Sequence, residues 1–227
     1  MVAVRSEARR LGWNVRSASW LTVQCAALGF LFCHILYAFT RLDLPWDAWW
    51  RMLFHIGYGN VWFGGFFASW AWCRFYAKRH NIPGFQMDDV AAFAVLLANP
   101  TGRIGCFFNG CCFGTPTNLP WGVELLTKDF GLARLHPVPL YEMFYQYTLF
   151  AILWNMRKKN TYNGQTGVRY LIFMPLGRFL LEFVRGDSIR GFVYGWMSTS
   201  QFIALGIIAI GISIHLYLKR AANHSLR

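Results

Sequence analysis

Acidic residues are scarce in this 227-residue chain: 10 Asp and Glu stand against 22 Lys and Arg, and charged residues of both signs make up only 14%. A soluble domain of this length needs far more polar surface to cover itself. Proline is sparse too, at 8 residues. This composition excludes a disordered protein along with a soluble enzyme, and no internal repeat or low-complexity tract is visible. The six cysteines do not make a disulfide-stapled secreted module. They include no C-x2-C, and no H-x3-H accompanies them, which removes the common zinc modules. What the chain has in abundance is apolar: 56% hydrophobic and 19% aromatic. A bilayer-spanning helix takes about 20 mainly apolar residues, so roughly 127 apolar side chains supply about six spans. A net charge of +12 in a soluble protein would point to nucleic acid. In a membrane protein it sets orientation and meets anionic lipid instead, so no nucleic-acid partner is expected.

The apolar runs predict spans over about 20–39, 52–75, 90–114, 139–157, 168–184 and 196–218. The expected fold class is all-α: a polytopic integral membrane protein of about six transmembrane helices. A small outer-face loop region, Thr115 to Arg134, lies between the third and fourth. The expected domains are a basic cytoplasmic segment 1–19, a transmembrane domain 20–218 and a basic cytoplasmic tail 219–227. The first span resembles the charged and apolar regions of a signal peptide. No small-x-small site precedes Arg41, so an uncleaved anchor is expected. Pro83-Gly84 and Asp88-Asp89 mark a turn ahead of the third span. Fourteen basic residues fall on the side that holds both termini and five on the other, which puts the termini in the cytoplasm. The remaining three are Arg103, Arg178 and Arg185, in or at the edge of spans.

Charge in hydrocarbon costs about 2.5–3.5 kcal/mol per group, so such residues usually face a polar cavity or a partner. Arg178, Glu182 and Arg185 are spaced i, i+4, i+7, which predicts one helical face. The spacing suits either a structural ion triad or a clamp in which Glu182 orients two guanidiniums toward an anionic headgroup. The end of the third span reads Gly102-Arg103-Ile104-Gly105-Cys106-Phe107-Phe108-Asn109-Gly110-Cys111-Cys112-Phe113-Gly114. Its glycines let the backbone approach a ligand closely or break near the surface, and with a buried arginine they favour an anion site. His136, in Leu135-His136-Pro137-Val138-Pro139-Leu140-Tyr141-Glu142, is the histidine best placed for proton transfer. Glu142 is a candidate partner for an arginine. Cys25, Cys33 and Cys73 lie in apolar spans and read as small hydrophobes. Cys106, Cys111 and Cys112 cluster near the outer end of the third span, and no metal is expected there. A disulfide from Cys106 to Cys111 or Cys112 and a nucleophilic thiol beside Arg103 both stay open.

The strings GRIGCFFNGCCFG, HPVPLYE and LGRFLLEFVRGD, in that order, resemble the prolipoprotein diacylglyceryl transferase family over roughly residues 60–218. The resemblance implies a multi-pass enzyme of the bacterial cytoplasmic (inner) membrane, its active site opening to the outer face and without a cofactor. Such an enzyme moves a diacylglyceryl group from phosphatidylglycerol to the lipobox cysteine of a preprolipoprotein. Its partners are phosphatidylglycerol, membrane lipid and an acceptor protein. Arg103 and Asn109 match the family's signature arginine and asparagine, and Arg178, Glu182 and Arg185 match its later Arg–Glu–Arg face. His136-Pro137 matches its His-Pro. Arg103, His136 and Arg178 are the expected catalytic residues. Asn109, Gly110, Tyr141, Glu142, Glu182 and Arg185 are expected to bind substrate. The chain departs from the pattern at Cys106 and Cys111, where typical members carry Asn and Glu, and at Phe63-Gly64-Gly65, where they carry His-Gly-Gly. Set against the resemblance, it is also shorter than usual and is expected to lack the family's first span and to carry a reduced outer domain. Two functions follow. One is a phosphatidylglycerol-dependent transferase acting on a lipoprotein cysteine or another outer-face acceptor, with release of glycerol phosphate. The other is a non-catalytic phospholipid-binding protein that keeps the arginine clamp.

Overall fold

A computed structural model describes residues 1–41, 45, 49–51, 54, 61–127, 130–186, 192–193 and 197–225. The chain is mostly helical and divides into two units, Met1–Val90 and Ala91–Arg227, with the boundary inside a helix.

In the first unit, α1 (Val2–Arg10) turns the expected basic segment into a short helix that buries Ala3, Val4, Glu7 and Ala8. Glu7 pairs there with Arg10, at 2.5 Å. The long helix α2 (Val15–Phe39) starts where Asn14 Oδ1 accepts the backbone N–H of Arg16 and Ser17, at 2.9 and 3.2 Å. That cap satisfies two of the donors that every helix start leaves unpaired. Helix α3 (Trp62–Arg79) packs on α2 through small residues. A Cβ added at Gly65 would lie 2.5 Å from both the Gly29 carbonyl oxygen and Cys33 Sγ. The Gly-Gly pair after Phe63 is therefore a packing device, whatever stands before it. Cys25 and Cys73 face each other with sulfurs 3.4 Å apart, beside a core of Leu21, Ala77 and Met87. We expect Gly65→Ala to cost about 1–3 kcal/mol of stability through overpacking. Gly206→Ala, where a Cβ meets nothing within 4 Å, should be neutral or gain about 0.5–1 kcal/mol. Thermal unfolding of the two variants in detergent checks the contrast.

Helix α4 (Gly84–Phe108) begins six residues before the expected span. The Pro83 carbonyl accepts from the N–H groups of Gln86 and Met87, so the chain turns at Pro83 and is already helical at Asp88 and Asp89. Arg74 Nη1 pairs with Asp88 at 3.1 Å. That ion pair holds Asp88 inside the helix, past its first turn.

The second unit holds the rest of α4, a hairpin of β1 (Val123–Thr127) and β2 (Gly131–Leu135), and then helices α5 (Val138–Met156), α6 (Gln165–Leu181) and α7 (Thr199–Ser225). The short pair β3 (Phe192–Val193) and β4 (Met197–Ser198) precedes α7. The expected outer loop thus carries regular structure. Val123 pairs with Leu135 and Thr127 with Gly131, antiparallel, on a strand whose burial alternates residue by residue. Helix α5 starts directly after Pro137, with Pro139 in its first turn, where a missing N–H costs nothing. Phe93, Leu96, Leu149 and Leu153 form the core between α4 and α5, with Trp154 edge-on to Phe93 at 5.1 Å. Helix α7 passes through Lys219-Arg220, beyond the expected end at Leu218.

Helices α2, α4 and α7 are long and apolar enough to cross a membrane. Large apolar side chains such as Phe202 (56% exposed) and Ile210 (58%) face outward from α7. Water does not tolerate such a surface over a whole helix, whereas lipid does. Of the expected second span, residues 52–53 and 55–60 lie outside the described residues.

Candidate functional site

Three distant stretches of the second unit are tied together by backbone hydrogen bonds at Gly114. Its N–H donates to the His136 carbonyl at 2.8 Å, and the His136 N–H donates back to Thr115 O at 3.1 Å. On the other side, Thr115 N–H donates to Val184 O at 2.9 Å and Gly186 N–H to Phe113 O at 3.3 Å, so that Gly114 bridges Arg185. The end of the glycine-rich string is thereby a strand-like centre between the start of HPVPLYE and the end of LGRFLLEFVRG. Space here admits only glycine: a Cβ on residue 114 would stand 2.6 Å from His136 Cβ and 3.0 Å from Val138 Cγ2.

The same crossing gathers five charged side chains. Glu142, in the second turn of α5, is their hub. Arg103 Nε approaches its Oε2 to 2.5 Å, Arg178 Nη1 its Oε1 to 2.7 Å, and Arg185 Nη1 the same oxygen to 3.9 Å. Arg178 also reaches Glu182 through Nη2, at 3.0 Å. The sequence assigns the orienting role to Glu182, which does hold Arg178, while Glu142 lies against all three arginines. The helical face expected for Arg178, Glu182 and Arg185 is also corrected. Helix α6 ends at Leu181 and tightens into a 3-10 turn over Glu182–Val184, leaving Arg185 extended. The bridge to Gly114, not the helix period, sets its position.

Both carboxylates are buried, Glu142 at 6% and Glu182 at 1% exposure, while Arg103 and Arg178 keep 24%. Among the described residues the cluster holds three positive and two negative charges. Three guanidiniums carry about fifteen N–H donors, against about eight lone-pair sites on two carboxylates. Donors and positive charge are therefore in excess, an arrangement suited to an anion with several oxygens.

Gly110, at φ +61°, ends α4. Its N–H bonds Phe107 O at 3.1 Å and the Cys111 N–H bonds Cys106 O at 3.1 Å. This is a Schellman cap, the motif that ends helices on a left-handed glycine and brings the residue after it back over the last turn. It explains the C-x4-C spacing: Cys106 and Cys111 occupy the two positions the cap places together. Cys112 is also left-handed, at φ +64°, an uncommon conformation for a residue with a Cβ. The three Sγ atoms lie within 4.8 Å of one another, and Cys111 and Cys112 Sγ are 3.7 Å apart. Burial pushes the Cys112 thiol up to about 12, with Cys111 and Cys106 adding and Arg185 opposing, so it is protonated at neutral pH and a weak nucleophile. Asn109 sits at the cap with its side chain exposed.

His136 Nδ1 is 3.1 Å from the Tyr141 hydroxyl, and that hydroxyl accepts from Trp121 Nε1 at 2.9 Å. The structure thus brings Arg103, Glu142, Arg178, Glu182 and Arg185 into one cluster and Cys106, Cys111 and Cys112 into a second, with His136 and Tyr141 forming a third. The sequence reading misses Trp121 and Gly114. Nothing in the spacing marks Trp121, and Gly114 shows itself only once its neighbours across the strand-like crossing are known.

The family model for prolipoprotein diacylglyceryl transferase matches residues 1–217, further toward the N-terminus than the motifs reach. The phosphatidylglycerol–prolipoprotein diacylglyceryl transferase of Clostridium tetani is 39% identical over 167 residues, 72% of this chain and 66% of its own. That of Clostridioides difficile is 28% identical over 230 residues, covering 100% of this chain and 88% of its own. The Gloeobacter violaceus enzyme of the same name is 31% identical over 204 residues, 85% and 72% of the two chains. With the match running across nearly the whole sequence and through each of the three strings that meet at Gly114, the chain belongs to the prolipoprotein diacylglyceryl transferase family.

Proposed function

We propose that this chain transfers a diacylglyceryl group from phosphatidylglycerol to the lipobox cysteine of a prolipoprotein. The observation that carries the reading is the cluster around Glu142, with its excess of one positive charge and its partly exposed arginines. The acceptor thiolate attacks the glyceryl carbon that bears the phosphate ester. A C–S bond forms, the C–O bond breaks, and the electron pair leaves on glycerol phosphate, which gains negative charge. Arg103, Arg178 and Arg185 meet that charge as it develops, which is where fixed donors accelerate a reaction most. Glu142 and Glu182 hold the guanidiniums in place beforehand. Asn109 and Gly110, at the end of α4, bind alongside them.

His136 takes the thiol proton. With its Nδ1–H given to the Tyr141 oxygen, Nε2 keeps the lone pair that accepts it. The protein works in the bacterial cytoplasmic membrane with about six spans and both termini inside. The site then opens to the outer face, where the hairpin also lies. The family's chemistry and the placement of charge make the transferase the better reading. Phe63, standing where typical members have histidine, favours the second reading, a phospholipid-binding protein without turnover.

The test is release of glycerol phosphate from radiolabelled phosphatidylglycerol by the purified protein, with and without a lipobox peptide. Peptide-dependent release, reduced about 10²–10³-fold by Arg103→Ala as for a lost transition-state donor, is the expected result. Lipid that binds and never turns over establishes the second reading instead.

A further inference from the structure

We propose that Cys106, Cys111 and Cys112 form a three-thiolate site for a soft metal ion, Zn2+ or Cu+. The spacing matches no common zinc motif, because the turn that assembles it is a helix cap and not a knuckle or a finger. The Schellman cap at Gly110 sets Cys111 against Cys106, and the left-handed backbone of Cys112 swings the third sulfur onto the same side. A tetrahedral Zn2+ with Zn–S bonds of about 2.3 Å separates its sulfurs by about 3.8 Å. Cys111 and Cys112 stand at 3.7 Å, and the widest separation among the three is within 4.8 Å, so closing on an ion takes about 1 Å of side-chain movement.

Charge favours the same ligand. Three thiolates around a divalent ion carry one net negative charge. The positive charge of Arg103 acts on Cys106 and that of Arg185 on Cys112. The guanidiniums thus complement the loaded site from two sides. Binding releases three protons to solvent as the thiols ionise and changes no oxidation state. The fourth position stays open to water or a small ligand. Soft sulfur ligands select Zn2+ and Cu+ over Mg2+ and Ca2+.

The proposal is independent of the transferase reading and is tested without activity. The full chain, reduced with a phosphine in detergent and with Cys25, Cys33 and Cys73 changed to Ser, is titrated with Cd2+ while the thiolate-to-metal charge-transfer absorbance is followed. One equivalent per chain is expected. Each of Cys106→Ser, Cys111→Ser and Cys112→Ser should weaken binding by at least the about 10–100-fold lost with an outer-shell partner. No charge-transfer band, or a band indifferent to all three substitutions, overturns the site.

A second measurement needs no substitution. In the reduced native protein, equimolar Zn2+ should protect Cys106, Cys111 and Cys112 together from maleimide, as read by peptide mass spectrometry. Equal labelling with and without Zn2+ overturns the proposal, as does recovery of a disulfide among the three that Zn2+ does not prevent.

Discussion

Replacing Glu142 by glutamine is expected to cut turnover of phosphatidylglycerol about a hundredfold or more, the scale on which a misplacement of about 1 Å is felt. Arg103, Arg178 and Arg185 all rest on this carboxylate, which is 6% exposed. Glutamine keeps the shape and one acceptor oxygen but removes the charge that holds three guanidiniums side by side. Breaking a buried ion pair from one side costs about 3–5 kcal/mol, so the melting temperature should fall as well. The kinetic signature separates this from simple loss of fold. The cluster becomes more positive, so the Michaelis constant for the anionic lipid should stay level or drop while the turnover number collapses. Uniform ground-state binding is then kept and transition-state placement lost. A variant that turns over at the native rate would remove Glu142 from its place as hub.

Gly114→Ala is expected to be nearly as damaging, although residue 114 carries no chemistry. The new methyl group meets the Val184 carbonyl oxygen and comes within 2.6 Å of His136 Cβ. Backbone cannot yield there without breaking the bonds to His136 and Val184. Overpacking of this kind costs about 1–3 kcal/mol, occasionally more. The larger loss is in rate, about a hundredfold, because the displaced strand carries Arg185 on one side and His136 on the other. Turnover assays on protein shown by circular dichroism to keep its helix content check the point. Near-native activity would mean the crossing does not set the site.

The charged residues of the site were legible because apolar runs make them conspicuous. Arginine at 103 and 178 cannot lie in hydrocarbon unexplained. The hub was less legible. Glu142 sits on a different helix from its partners, 39 residues from Arg103 and 36 from Arg178 along the chain, and no periodicity links positions across such a gap. Arg185 misled for a related reason. A helix of the expected length would carry it on the face of Arg178, but a tertiary bridge to Gly114 ends the helix at Leu181. Asp88-Asp89 read as turn residues in the sequence, whereas Arg74 pairs with Asp88 inside the helix. The cysteine cluster was written in the sequence all along, since glycine one residue before the second cysteine is the cap that folds it. Only the backbone bonds make that spacing mean proximity.

The stem of the hairpin is closed twice, by Thr117 N–H on Arg134 O at 2.8 Å and by the paired bonds between Gly114, Thr115 and His136. Everything between is chain that leaves and re-enters the site at one place. Lengthening such an excursion is thermodynamically cheap, about 0.6 kcal/mol per doubling, and the anchoring bonds are blind to what lies beyond them. The charge cluster around Glu142 and the arm between the anchor points can therefore diverge at separate rates. A larger arm fits the same anchor points without altering a single distance around Glu142.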